Sequence, residues 1–142
     1  MQFKNQVLST ADQAKAFFGT REDGPFVMVN LLKFKSKAEY ADESDAGTSG
    51  FEAYQRYFRK VRHLILKVGG TPGYSGPVTG LQLGEVEELW DMIALAEYPS
   101  LAAMKEMVES ADYREIAKHR MAGLAGQLNI KTKGTLGSSH PT

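Results

Sequence analysis

Two segments of this sequence are apolar on both faces, and that feature constrains the fold more than any other. Phe26–Phe34 reads FVMVNLLKF and Leu89–Tyr98 reads LWDMIALAEY. Both are short, rich in β-formers and bounded by turn residues, which is the pattern of strands. Successive side chains of a strand point to opposite faces. In the first segment Val27, Val29 and Leu31 oppose Phe26, Met28, Leu32 and Phe34. In the second, Leu89, Ile93 and Leu95 oppose Trp90, Met92, Ala94, Ala96 and Tyr98. A strand with one face in water would alternate apolar and polar residues. These two do not, so both faces must be covered.

The rest of the chain supplies one cover. Thr10–Phe18 reads as a short helix with a capping box formed by Thr10 and Gln13. In Phe51–Val68, the apolar residues Phe51, Tyr54, Phe58, Val61, Ile65 and Val68 recur at spacings of three and four, and Gly69-Gly70 ends the run. Ser100 caps a helix with the stripe Leu101, Met104, Met107 and Val108. Asp112 and Glu115 form a second capping box for a helix that runs to Leu124. Tyr74–Leu83 is a weak strand interrupted by Gly76-Pro77 and Gly80, and proline confines it to a sheet edge. Gly126–Thr132 makes the last strand. The polar stretch Ser36–Gly50 reads as a long loop, expected to be a mobile lid beside a binding site.

This order is that of an α+β, ferredoxin-like βαββαβ sheet with an added N-terminal helix. It predicts an N-terminal extension over 1–24, the sheet domain over 25–133 and a flexible tail over 134–142. The first and third strands are central and the second is at an edge. The crossover helices cover one sheet face. The other would expose more apolar surface than a monomer tolerates. A second copy, packed sheet to sheet, is the expected cover, giving a homodimeric α+β barrel. The competing cover, the short N-terminal helix, is small for a sheet of this size.

Composition narrows the partners. Lys+Arg and Asp+Glu are equal at 17 each, so no charge imbalance points to nucleic acid or an anionic membrane surface. No apolar stretch reaches the roughly 20 residues of a membrane span, and no leader pattern opens the chain, so a cytoplasmic location is expected. The absence of cysteine excludes disulfides and thiolate chemistry. Three histidines at no ligand spacing give no metal or haem signature, and nucleotide and nucleophile-elbow fingerprints are missing, so no cofactor is expected.

Val29-Asn-Leu-Leu-Lys-Phe34, Gly69-Gly70, Trp90-Asp91, Glu97-Tyr-Pro-Ser100, Ser110-x-x-Tyr113 and His119-Arg120-x-x-x-Leu124 occur in that order. Together, over about Phe26 to Ile130, they resemble the domain of unknown function 1330 family of the dimeric α+β-barrel superfamily. The resemblance implies the barrel fold and a homodimer, and it implies no established activity.

A few polar residues stand where apolar ones are expected. Arg120 shares a helical stripe with Tyr113, Ile116, Ala117 and Leu124. A guanidinium there needs an anion, either Asp91 or Glu97 within the chain or the carboxylate or phosphate of a ligand. The internal pair is the expected partner. Asn30 interrupts the first strand on the face of Phe26, Met28 and Leu32, assigned here to the barrel interior, where it would bond its symmetry mate, a water or a ligand. Trp90, Tyr98 and Tyr74 are either pocket walls or core. His119 is the histidine with a case for acid–base work, set against an ordinary helix-surface position. The ligand-binding set is therefore Asn30, Trp90, Tyr98 and Arg120, with no metal ligands. Two functions compete: a small organic, anionic molecule bound or transformed in the barrel interior without a cofactor, and a non-catalytic interaction or scaffold protein whose interior is only core.

Overall fold

The computed structural model describes residues 5–20 and 24–137; His140 and the rest of the tail beyond 137 lie outside them. The elements run α1 (Ala11–Phe18), β1 (Phe26–Phe34), α2 (Gly50–Lys67), β2 (Thr71–Pro77), β3 (Met92–Tyr98), α3 (Leu101–Glu109), α4 (Ala111–Gly123) and β4 (Leu124–Lys133). The strands form one antiparallel sheet in the order β2-β3-β1-β4, so the two strands apolar on both faces are central. This is the expected α+β, ferredoxin-like arrangement, N-terminal helix included.

Local chemistry explains the element ends. Thr10 accepts from the Gln13 backbone while the Gln13 side chain accepts from Thr10, closing the anticipated capping box. Ser49 caps α2 and accepts from Glu52 N–H. Helix α2 stops where Gly69 turns to a φ of 85° and the Gly70 N–H reaches back to the Ile65 carbonyl. Helix α4 starts earlier than expected: its cap is Ser110, which accepts from Tyr113 N–H, and Asp112 falls inside the first turn. Strand β3 begins at Met92, and β2 spans Thr71–Pro77 instead of Tyr74–Leu83. The glycine pair hands the chain straight to the sheet edge, leaving Leu81 and Leu83 in solvent.

Helices α2, α3 and α4 lie on one face. Beneath them Phe26, Met28, Leu32, Met92, Ala94, Ala96 and Tyr98 are buried against Tyr54, Tyr57, Val61, Ile65, Leu101, Met107 and Ile116. The α2 stripe is shifted from the expected one. Ala53 and Tyr57 are buried, whereas Phe51 is 48% exposed at the rim, its ring against Phe34. Helices α2 and α4 approach closely because Gly50 and Gly123 meet there. A Cβ on Gly50 would run into the carbonyl oxygens of Lys35 and Gly123.

The opposite sheet face carries Val27, Val29, Leu31, Ile93, Leu95, Leu128 and Ile130, brought level by the β3-β1-β4 register. Among the described residues no helix covers it. The N-terminal helix is on the other side, with Phe17 edge-on to Phe26 at 6.3 Å and Val7 against the same core. That removes α1 as the cover. Leu136 sits over Gly73 on this side and donates its N–H to Glu97 at 2.7 Å.

Candidate functional site

The face bearing Asn30 is the helix-covered one, which corrects its assignment to the space between two sheets. Between this face, α2, α3, α4 and the N-terminal segment lies a cavity of about 260 Å³, which adjoins an open cleft of about 520 Å³ beneath α1. The inner cavity alone has room for several waters. Asn30, Tyr54, Tyr57, Tyr98, Tyr113 and Arg120 line it. Gln6–Ser9 and α1 form the outer wall, with Gln6 bridging to Gln127 as a short extension of the sheet.

The polar side of the cavity is one connected chain of side chains. Register places Asn30 level with Ala94 on one neighbour and Asn129 on the other, and Gln127 two residues from Asn129. Arg120, at the end of α4, donates to Gln127 Oε1. The Gln127 amide nitrogen donates to the Oδ1 atoms of Asn30, at 3.1 Å, and Asn129. Asn30 Nδ2 donates to the Ala94 carbonyl at 3.1 Å. Both ends of this chain are fixed. A guanidinium can only donate and a carbonyl can only accept, so each amide between them has one consistent orientation. Each side-chain amide oxygen in it accepts one of these bonds. Arg120 is the member that can only donate.

Arg120 pairs with neither expected carboxylate. Asp91 instead bonds Lys33 Nζ at 3.3 Å and accepts from Phe34 N–H at 2.8 Å, while Glu97 is held by Leu136 on the open face. The reason is geometric: Asp91 precedes β3 at the sheet's end, and Glu97 alternates away from the helices. Among the described residues no carboxylate lies within ion-pair distance of Arg120, whose other contact is Met121 Sδ at 3.6 Å.

Four phenols complete the wall. The hydroxyls of Tyr57 and Tyr113 are 3.0 Å apart and bond each other. Those of Tyr54 and Tyr98 have no hydrogen-bond partner among the described residues, although the residues are only 4% and 5% exposed. No fully buried side-chain polar atom lacks a partner, so these two hydroxyls open onto the cavity. Burial raises the pKa of Tyr54, Tyr57 and Tyr98; the Arg120 charge opposes this at Tyr54 and Tyr57 without reversing it. All three are therefore neutral donors at physiological pH.

The other anticipated residues lie elsewhere. Trp90 is partly buried just before β3 and is not in the cavity wall. Tyr74 is 66% exposed on the edge strand. His119 faces the loop before α2, not the cavity. Its Nδ1 is 2.7 Å from the Tyr40 hydroxyl, which accepts from Arg56 at 3.1 Å, and Arg56 also bonds Asp45 at 2.9 Å. Desolvation, aided by Lys118, Arg56 and Lys60, lowers the His119 pKa. The loop itself is tied down by Ala38 N–H to Thr48 and Glu39 N–H to Ala122, and none of its residues lines the cavity. The mouth is formed by the N-terminal segment, so the expected position of the lid is corrected. Gln127, Asn129, Tyr54, Tyr57 and Tyr113 were not singled out as site residues from sequence. Gln127 and Asn129 alternate polar along β4, but only the sheet register shows which strand faces them. Among the described residues no group of three or more His, Asp or Glu side chains could hold a metal ion, and no helix is long and apolar enough to cross a membrane.

Known proteins agree with this architecture. No curated protein matches the chain. The crystal structure of RPA0582 from Rhodopseudomonas palustris, a protein of unknown function, is 33% identical, with 93% of this chain and 98% of that one covered and a TM-score of 0.81. The fold is shared more distantly with a dimeric, ferredoxin-like protein of unknown function from Bacteroides fragilis. That match has 12% identity, 78% and 97% coverage and a TM-score of 0.51. A ferredoxin-like protein of the dabb family from Mesorhizobium loti gives 11% identity, 79% and 98% coverage and the same TM-score. The sequence profile described as "Domain of unknown function (DUF1330)" matches residues 48–131, beginning later than the resemblance in β1 suggested, and this chain belongs to that family.

Proposed function

We propose that this protein is a homodimer that binds a small organic anion, in each protomer, between the sheet and the helices, with Arg120 as the anchor. The observation that carries this reading is the unpaired cation in the wall. A half-buried guanidinium without a carboxylate among the described residues, held in place by Gln127, faces a cavity large enough for a ligand. The Arg120 guanidinium can only donate, so the group that matches it is an acceptor, and a carboxylate suits the planar guanidinium fork best. The apolar flank, including Met28, Met104 and Phe18, suits a hydrocarbon body.

The dimer is supported by the open apolar sheet face. It is also supported by the fold shared with a protein described as dimeric. Sheet-to-sheet packing of two copies would leave each cleft accessible from its own helical side.

Titration calorimetry with matched pairs of a carboxylic acid and its primary amide tests the binding reading. Phenylacetate with phenylacetamide and hexanoate with hexanamide are suitable pairs. The acids should bind at least about tenfold more tightly than the amides, because the amide loses the charge-assisted pair. Equal binding of acid and amide, or no binding of any acid, would favour the scaffold reading, in which the cavity is incidental.

A further inference from the structure

We infer that the ligand of this cleft is a two-ended acid, with a carboxylate for Arg120, an apolar or aromatic body and a second oxygen function that bonds the Tyr98 hydroxyl. The inference rests on the anion-binding reading above and specifies its ligand. Its own basis is the placement of the phenols. Tyr98 is 95% buried, stacks at 5.5 Å on Phe26 and lines the inner cavity, yet its hydroxyl has no hydrogen-bond partner among the described residues. A hydroxyl in such a place stabilises nothing in the empty protein beyond what phenylalanine would supply. Its use is a partner that enters the cavity.

Position makes this a second contact and not part of the first. Tyr98 ends β3, four residues beyond the Ala94 carbonyl that terminates the Arg120–Gln127–Asn30 chain. Register sets Tyr98 level with Phe26 and sets Gln127, which holds Arg120, level with Leu32, six residues further along β1. Tyr98 is thus toward the end of the sheet remote from Gln127, and Tyr54, Tyr57 and Tyr113 line the same cavity. A neutral phenol both donates and accepts, so the distal group of the ligand is a hydroxyl or a carbonyl. A plain fatty or aryl acid would leave that hydroxyl dry and unpaired, which costs affinity.

Three matched pairs of increasing length test this by calorimetry: benzoate and 4-hydroxybenzoate, phenylacetate and 4-hydroxyphenylacetate, cinnamate and 4-hydroxycinnamate. In wild type, at least one hydroxylated member should bind about tenfold or more tightly than its plain partner. Tyr98→Phe, which keeps the ring and loses no internal bond, should bring that ratio close to one. The plain acid should bind to the variant no more weakly than to wild type, and the thermal melt of the empty protein should be unchanged. Ratios near one for all three pairs in wild type, or a preference that survives in Tyr98→Phe, would overturn the inference while leaving anion binding in place. Failure of every acid, plain or hydroxylated, to bind would overturn both.

Discussion

Replacing Arg120 by methionine separates an internal ion pair from a ligand anchor in the empty protein. Methionine keeps the reach and the apolar stem and removes the charge. If Arg120 neutralised a carboxylate of its own chain, the change would strand that carboxylate, at a cost of about 3–5 kcal/mol. In a domain of this size that corresponds to a fall in Tm of at least about 10 °C. The geometry argues otherwise. The loss is one charge-assisted bond to Gln127 Oε1, a term of about 1.5–3 kcal/mol when nothing replaces it. Here Gln127 lines the open cleft, where water can take over the bond. Removing a half-buried cation with no carboxylate beside it offsets the remainder. The ligand-free variant should therefore melt within about 5 °C of wild type while its affinity for carboxylic acids falls by about a hundredfold. Differential scanning calorimetry without ligand gives the first number and acid titration the second. A fall of 10 °C or more, partly recovered by removing a carboxylate elsewhere in the chain, would refute the reasoning.

Two further predictions follow from other faces of the molecule. Light scattering at micromolar concentration should give twice the 15.6 kDa chain mass. Val29→Asp, in the middle of the open apolar face, should yield a folded monomer, and a persistent wild-type monomer would defeat the packing argument. His119 has its folded pKa lowered, so the unfolded chain binds the proton more readily. Its contribution is complete above about pH 6.5, its ordinary value, and is lost as pH falls from there toward the folded value. His119→Gln should flatten that part of a Tm-against-pH curve between pH 8 and 5. Desolvation sets the shift, Lys118, Arg56 and Lys60 add to it, and Asp45 opposes it.

The fold was legible because it rests on local signals. Strands apolar on both faces had to be central, proline put β2 at the edge, and Thr10, Ser100 and Gly69-Gly70 punctuated the helices as their chemistry requires. Errors came where two signals competed. Ser110 and Asp112 both resemble a cap, and the earlier one won because its side chain reaches Tyr113 N–H. The α2 stripe keeps Tyr54, Val61 and Ile65 but turns toward Ala53 and Tyr57, where Tyr57 meets Tyr113 across the helix pair. The site was less legible, because its partners are separated by up to 97 residues, as in the bond between Gln127 and Asn30. Helical periodicity could say that Arg120 points inward. It could not say that Asp91 would be occupied by Lys33 or that Glu97 faces the other side of the sheet.

Strand register is what turns these scattered polar residues into a site. Asn30 is a single interruption in an apolar strand, and alone it would be a cost. Antiparallel pairing sets it level with Ala94 and within reach of Gln127, so one part-buried amide gains an acceptor, a donor and a fixed orientation at once. Gln127, two residues from Asn129 and so on the same face, extends the chain to the end of α4. Because Arg120 can only donate, the whole series is polarised away from it. A one-residue slip of β4 would turn Gln127 and Asn129 to the open face and leave Arg120 without its acceptor. The register that buries the core is therefore also the register that brings Asn30, Gln127 and Asn129 to the cavity beside Arg120.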